Sequence, residues 1–103
     1  MSQSPLIAEI VRFRLKPGSD PAQFAAAAGA IDGLLQGSGA VLARTLSEDQ
    51  DGTWTDHILW TDLPSARAMA QKVMADPLAA PMMDMIAPEG LQLHHAEVRH
   101  QKE

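Results

Sequence analysis

From Leu6 to Leu15 the chain interleaves two sets of residues, Glu9, Val11, Phe13 and Leu15 against Ala8, Ile10, Arg12 and Arg14. Successive side chains of a strand point to opposite faces, so this pattern predicts a strand that is mostly apolar on one face and turns basic toward the end of the other. Lys16-Pro17-Gly18-Ser19 ends it. Asp20-Pro21-Ala22-Gln23 then has the chemistry of a helix start. Asp20 can cap free amides, Pro21 suits the first helical position, and Gln23 can bond back to the cap. Beyond it Phe24, Ala27, Ala28, Ile31, Leu34 and Leu35 fall on one helical stripe, with Gly29, Gly33 and Gly37 on the opposite side. The stripe is expected to face a sheet.

Ala40 to Leu46 alternates again, Val41, Ala43 and Thr45 against Ala40, Leu42, Arg44 and Leu46, and a polar run ending in Asp51-Gly52 signals a hairpin. Thr53 to Thr61, rich in Thr, Trp and Ile, returns as a third strand. Asp62-Leu63-Pro64 can cap a second helix with Ala66, Met69, Ala70 and Val73 on its apolar side. Pro77 should interrupt that helix, because proline removes a helical amide and restricts the residue before it. Leu78, Met82, Met85 and Ile86 continue as a shorter helical piece, and Leu91 to His100 reads as a fourth strand. The order βαββαβ predicts an α+β, ferredoxin-like domain over residues 1–103: a four-stranded antiparallel sheet with the helices on one face. The other face, bearing Ile10, Leu42 or Leu59, would need cover from a partner or a ligand.

Composition narrows the partners. At 103 residues there is room for one domain and one core, and so short a chain gains from burying a sheet face against a second copy. A homodimer is the expectation. With 46% apolar and 20% charged residues the chain is globular in composition, and no apolar run approaches the roughly 20 residues of a membrane helix. The opening Met1-Ser2-Gln3-Ser4-Pro5 lacks the features of a signal peptide and there is no cysteine, so a cytoplasmic location is expected, without disulfides or thiol chemistry. A net charge of −5, with Lys and Arg scattered, gives no footprint for nucleic acid.

The stretch Asp56-His57-Ile58-Leu59-Trp60-Thr61-Asp62-Leu63-Pro64-Ser65-Ala66, with Ala75-Asp76-Pro77 and Ala80-Pro81-Met82-Met83-Asp84-Met85-Ile86 after it, resembles the dimeric α/β-barrel superfamily. More narrowly it is similar to the antibiotic-biosynthesis-monooxygenase-like domains. Glu9-Ile10-Val11-Arg12-Phe13-Arg14-Leu15-Lys16-Pro17-Gly18 resembles their first strand. The resemblance implies two sheets paired into a closed barrel, with a cleft between sheet and helices. It also implies a range of activities: cofactor-free quinone-forming monooxygenases, haem-degrading enzymes, isomerases, cyclases and members of no known activity. The resemblance implies an Asn and a helical haem-ligating His in the haem-degrading members, and this chain has no Asn and no His from Pro64 to Ile86, which argues against that branch. Of the Asn, Trp, Tyr and Arg combinations that the resemblance implies for the aromatic-substrate oxygenases, only Trp and Arg remain, since Tyr is also absent.

Among side chains that could carry chemistry, His57, His94, His95 and His100 are the only acid/base groups near neutrality. His57 is the candidate base, with Arg12 to stabilise an anion through its planar guanidinium. By alternation His57 shares a face with Thr55, Leu59 and Thr61, opposite Trp54, Ile58 and Trp60, and is predicted to point away from the helices. His94 and His95 must face opposite sides, which side being open. Met69, Met74, Met82, Met83 and Met85 could wall a cleft for flat or greasy ligands or simply fill the core. Trp60, Met82, Met85 and His95 are the candidate substrate contacts. His95 with Glu97, or with Glu9 across the sheet, has no recognised ligand spacing, so neither metal nor other cofactor is expected. The leading functional expectation is a cofactor-free enzyme acting on an apolar or aromatic small molecule. A non-catalytic ligand-binding or stress-related dimer, and an isomerase or cyclase, are the alternatives.

Overall fold

In the computed structural model, which describes residues 5–102, four strands form one antiparallel sheet: β1 (Ile7–Phe13), β2 (Val41–Glu48), β3 (Trp54–Trp60) and β4 (Gln92–Glu97). Met1–Ser4, read above as carrying no signal peptide, lie outside the described residues. The strand order is β2-β3-β1-β4, so the two strand–helix–strand units interleave, with β1 and β3 at the centre and β2 and β4 at the edges, and the βαββαβ expectation holds. The helices are α1 (Pro21–Gly29), α2 (Asp32–Gln36), α3 (Leu63–Ala75) and α4 (Ala80–Met85), with a single 3-10 turn over Pro77–Ala79 before the last. None among the described residues is long and apolar enough to cross a membrane.

Short-range chemistry sets most boundaries. Asp20 accepts a hydrogen bond from the Ala22 amide, with Pro21 at the first helical position, so the cap forms without the reciprocal Gln23 bond. Asp62 caps α3 by accepting from the Ser65 amide and hydroxyl, and these bonds with one from Thr61 hold its carboxyl below the usual range. In the β2–β3 turn, Asp49 accepts from the amides of Asp51 and Thr53. Gly52 sits at φ +85°, a left-handed conformation that side chains oppose.

Two expectations needed correction. The helix read from Phe24 through Leu35 is two helices, because the backbone tightens after Gly29: Ile31 N–H bonds to Ala28 O, three residues back, and α2 restarts at Asp32. The stripe survives, since Phe24, Ala28, Ile31 and Leu35 are all buried. In β2, strict alternation fails at a bulge. Val41 pairs with Trp60 and Ala43 with Leu59, which leaves Leu42 as the extra residue, 53% exposed. Val41 therefore shares Trp60's side of the sheet, while Ala43 and Thr45 lie on the other.

The core lies between the sheet and the helices. Ile7, Phe13, Trp54, Ile58 and Trp60 project from the sheet into Phe24, Leu35, Met69 and Met82. Phe24 packs edge-on against both Phe13 and Trp54, with ring centroids 5.4 and 5.0 Å apart. Pro77 breaks the second helical region as expected. Its far end is fastened to the chain leaving β1 by a Leu15–Ile86 bridge, with Lys16 N–H on Met85 O and Ala87 N–H on Arg14 O.

Candidate functional site

The helix-facing side of the sheet carries an unusual group among its apolar residues. Glu9 on β1, Asp56 on β3, Arg44 on β2 and His95 on β4 all occupy inward positions, one from each strand. Glu9 is opposite His95 in the β1–β4 register, and its Oε1 lies 2.9 Å from His95 Nε2. Arg44 is opposite Ile58, two residues along β3 from Asp56, and grips that carboxylate at two points, Nε to Oδ1 at 3.0 Å and Nη2 to Oδ2 at 2.7 Å. Its Nη1 donates to Ala28 O at the end of α1 and to Asp32 on α2. Arg44 thus ties the break between those helices to the sheet.

Burial governs the electrostatics. It pushes the Glu9 carboxyl above its ordinary value, against the lowering effect of the His95 hydrogen bond and charge; the nearby Asp56 carboxylate adds to the rise and Arg44 opposes it. For Arg44 burial works against the charge, but Asp56 and Asp32 outweigh it and raise its pKa. The cluster therefore holds one cation with two carboxylate partners, beside a third carboxyl, Glu9, that gains from being protonated.

Above Glu9 and Asp56 lies a cavity of about 180 Å³ between sheet and helices. Its walls are otherwise apolar, with Ile58 and Trp60 on the sheet side and Met69, Met82 and Met83 on the helix side. Trp60 is 1% exposed, and its buried indole N–H has no hydrogen-bond partner. A buried unpaired donor costs free energy on the order of 1–3 kcal/mol, which a ligand acceptor would relieve. At the mouth Met74, Leu91 and Leu93 are exposed to 74%, 45% and 49%. His95, on the far side of Glu9, lines a second and more open pocket of about 260 Å³ with Pro5, Asp62, Pro64 and Glu97.

The structure divides the residues expected from sequence between two places. Trp60 and Met82 line the cavity, His95 reaches it through Glu9, and Met85 packs on the core without lining it. His57 lies on the opposite sheet face, as its alternation predicted, paired with Ile10 and Thr45 and exposed. Arg12 shares that face, opposite Thr55, and its Nη2 stands 3.9 Å from Asp49. The combination of His57 and Arg12 with a methionine-lined cleft is therefore corrected: the sheet itself stands between the two groups and the cavity. His94, paired with Ile10, takes the outer face and His95 the inner one. The outer face is less bare than expected, since Leu59 is only 7% exposed. Glu9 was weighed in the sequence only as a metal partner, and Asp56 and Arg44 were missed. Their signal was a charged residue at an inward position on each of three strands. Among the described residues no three metal-ligating side chains converge.

No protein-family model and no curated protein matches the sequence. Solved structures do match the fold. SnoaB, a cofactor-independent oxygenase from Streptomyces nogalater, superposes with a TM-score of 0.73 at 15% identity, over 95% of this chain and 97% of its own. An antibiotic biosynthesis monooxygenase candidate from Bordetella bronchiseptica gives 0.77 at 17% identity, over 92% and 98%. A protein of unknown function from Nitrosomonas europaea gives 0.68 at 19% identity, over 99% and 97%. The chain thus has the ferredoxin-like βαββαβ fold of the antibiotic-biosynthesis-monooxygenase-like domains.

Proposed function

We propose that the chain binds a single-ring, largely apolar compound bearing an acidic hydroxyl in the cleft between sheet and helices, and oxidises it with O2 as a cofactor-independent oxygenase. The observation that carries this reading is the Glu9 carboxyl, buried beside Asp56 in an otherwise apolar cavity and made more basic than an ordinary carboxylate by that burial. The likeness to SnoaB supports the oxygen chemistry. Size supports the ligand class: a dry apolar cavity of roughly 150 Å³ holds one benzene ring, so about 180 Å³ suits one ring with short substituents.

In this reading Glu9, not His57, is the base. Its carboxylate takes the hydroxyl proton of a bound phenol, and the phenolate gives electrons to O2. A ring C–H carbon gains the oxygen atom that becomes the second quinone carbonyl; the other oxygen leaves as water, so phenol plus O2 gives quinone plus H2O. Trp60 N–H offers a hydrogen bond to an acceptor on the ligand, and the methionines of α3 and α4 adapt their shape to the ring. The test is oxygen uptake with a panel of single-ring polyphenols: one O2 consumed per ring, lost in Glu9→Gln. Conversion without oxygen would instead indicate an isomerase or cyclase, and binding without conversion a ligand-binding protein.

A further inference from the structure

A base sealed inside an apolar cleft has to be reset. Once Glu9 has taken a proton, it must lose it before the next cycle, and its side chain is only 10% exposed. Among the described residues its carboxyl has one hydrogen-bond partner, His95, 2.9 Å away. His95 belongs to the other pocket, where its neighbours are Asp62 and Glu97. Glu9 lines the inner cavity and not the outer pocket; His95 lines the outer pocket and not the inner cavity. The 2.9 Å contact is therefore the link between two spaces on the helix side of the sheet, one walled by the methionines of α3 and α4 and the other at the start of α3.

We propose that His95 is a proton relay that connects the cleft to solvent through the outer pocket. The proposal rests on Glu9 acting as the base in the cleft. The protonated Glu9 passes its proton to His95 Nε2, leaving carboxylate and imidazolium. The imidazolium gives up its Nδ1 proton to water in the outer pocket, which leaves the ring neutral in its other tautomer, and exchange of that tautomer with solvent returns Nε2 to its accepting form before the next cycle. No electron moves, and one proton leaves for each one taken from the ligand. Imidazole suits the step because it accepts at one nitrogen and donates at the other near neutral pH. The surroundings favour the direction: Asp56 stands near Glu9 in the cleft with its charge matched by Arg44, while the Asp62 and Glu97 carboxylates lie on the exit side, Asp62 held ionised by its cap bonds. Glu97 also bonds Arg99, with 2.8 Å between Oε2 and Nη2. The arrangement separates ligand entry, past Met74 and Leu93, from proton exit past His95.

The test uses 4-nitrophenol, a single-ring phenol that colours when ionised, mixed with the protein in weak buffer about one unit below the phenol's own pKa. Stopped-flow absorbance follows phenolate formation, and an indicator dye follows the proton in solution. In the wild-type protein the two signals should coincide. His95→Gln keeps a side chain able to bond Glu9 but not to carry a proton; phenolate should still form, while proton release slows at least about tenfold, with 1.4 kcal/mol corresponding to each tenfold. Millimolar imidazole should restore release in His95→Ala. Undiminished release in both variants overturns the relay and leaves the base in place. Full phenolate formation in Glu9→Gln overturns the base, and failure of 4-nitrophenol to bind the wild-type protein overturns the cleft reading and the relay together.

Discussion

Arg44 and Asp56, on adjacent strands, form a two-point ion pair at 3.0 and 2.7 Å with their side chains only 10% and 13% exposed. Breaking one side of such a pair leaves an uncompensated buried charge and costs about 3–5 kcal/mol, whereas replacing both with apolar groups can be nearly neutral. Arg44→Met is thus expected to lower the melting temperature by more than about 12 °C, at roughly 4–8 °C per kcal/mol for a domain of this size. Arg44→Met with Asp56→Leu should recover most of the loss. Thermal melts of the two single variants and the double variant close the cycle, and simple additivity would contradict the coupling.

Glu9 sets a pH dependence of stability. Burial raises its pKa above the ordinary 4.5, so between 4.5 and the folded value the folded chain holds a proton that the unfolded chain has lost. The group's contribution is full below 4.5 and is lost as pH rises through the folded value. Urea unfolding across this range should show stability falling with pH in the wild-type protein and a flatter profile in Glu9→Gln. An unchanged profile would place the carboxyl in a solvated setting.

His57 and Ile10 report on the outer sheet face, where they pair in register. Sedimentation at micromolar concentration is expected to give twice the mass of the chain, and Ile10→Lys, which sets a charge between His57 and His94, should return it to one. His57→Ala should keep phenol turnover and shift the melting temperature by no more than a few degrees. Loss of turnover in His57→Ala would move the chemistry to the face away from the helices.

What could be read in advance was local. Asp20, Asp62 and Asp51-Gly52 mark ends of elements through bonds within a few residues, and the alternation of Trp54 through Trp60 placed His57 correctly on its own. The bulge at Leu42 could not be seen, because one added residue changes which face follows without changing the residue types. The Glu9–His95 and Arg44–Asp56 pairs were hidden for a different reason. Each member alone is a single charge in an amphipathic strand, and only the β2-β3-β1-β4 register makes them neighbours. The same alternation that oriented His57 also removed it from the side of the sheet where the helices enclose a cavity.

Segment 77–86, which roofs part of that cavity, is held at one end by the Asp76 cap and at the other by the Leu15–Ile86 bridge. Its helical pieces are 3 and 6 residues long, far below the length at which a helix persists alone, so its order depends on Ala79 and Met82 packed beneath it. Local opening of such a segment has its own free energy, smaller than that of the sheet. Its amide hydrogens should therefore exchange with solvent well before those of β1 and β3, and a molecule that fills the space under Met82 should slow that exchange without touching the sheet's, which would be read by mass spectrometry with and without 4-nitrophenol. The break at Pro77 makes the roof of the cleft a built-in gauge of whether the cleft is full.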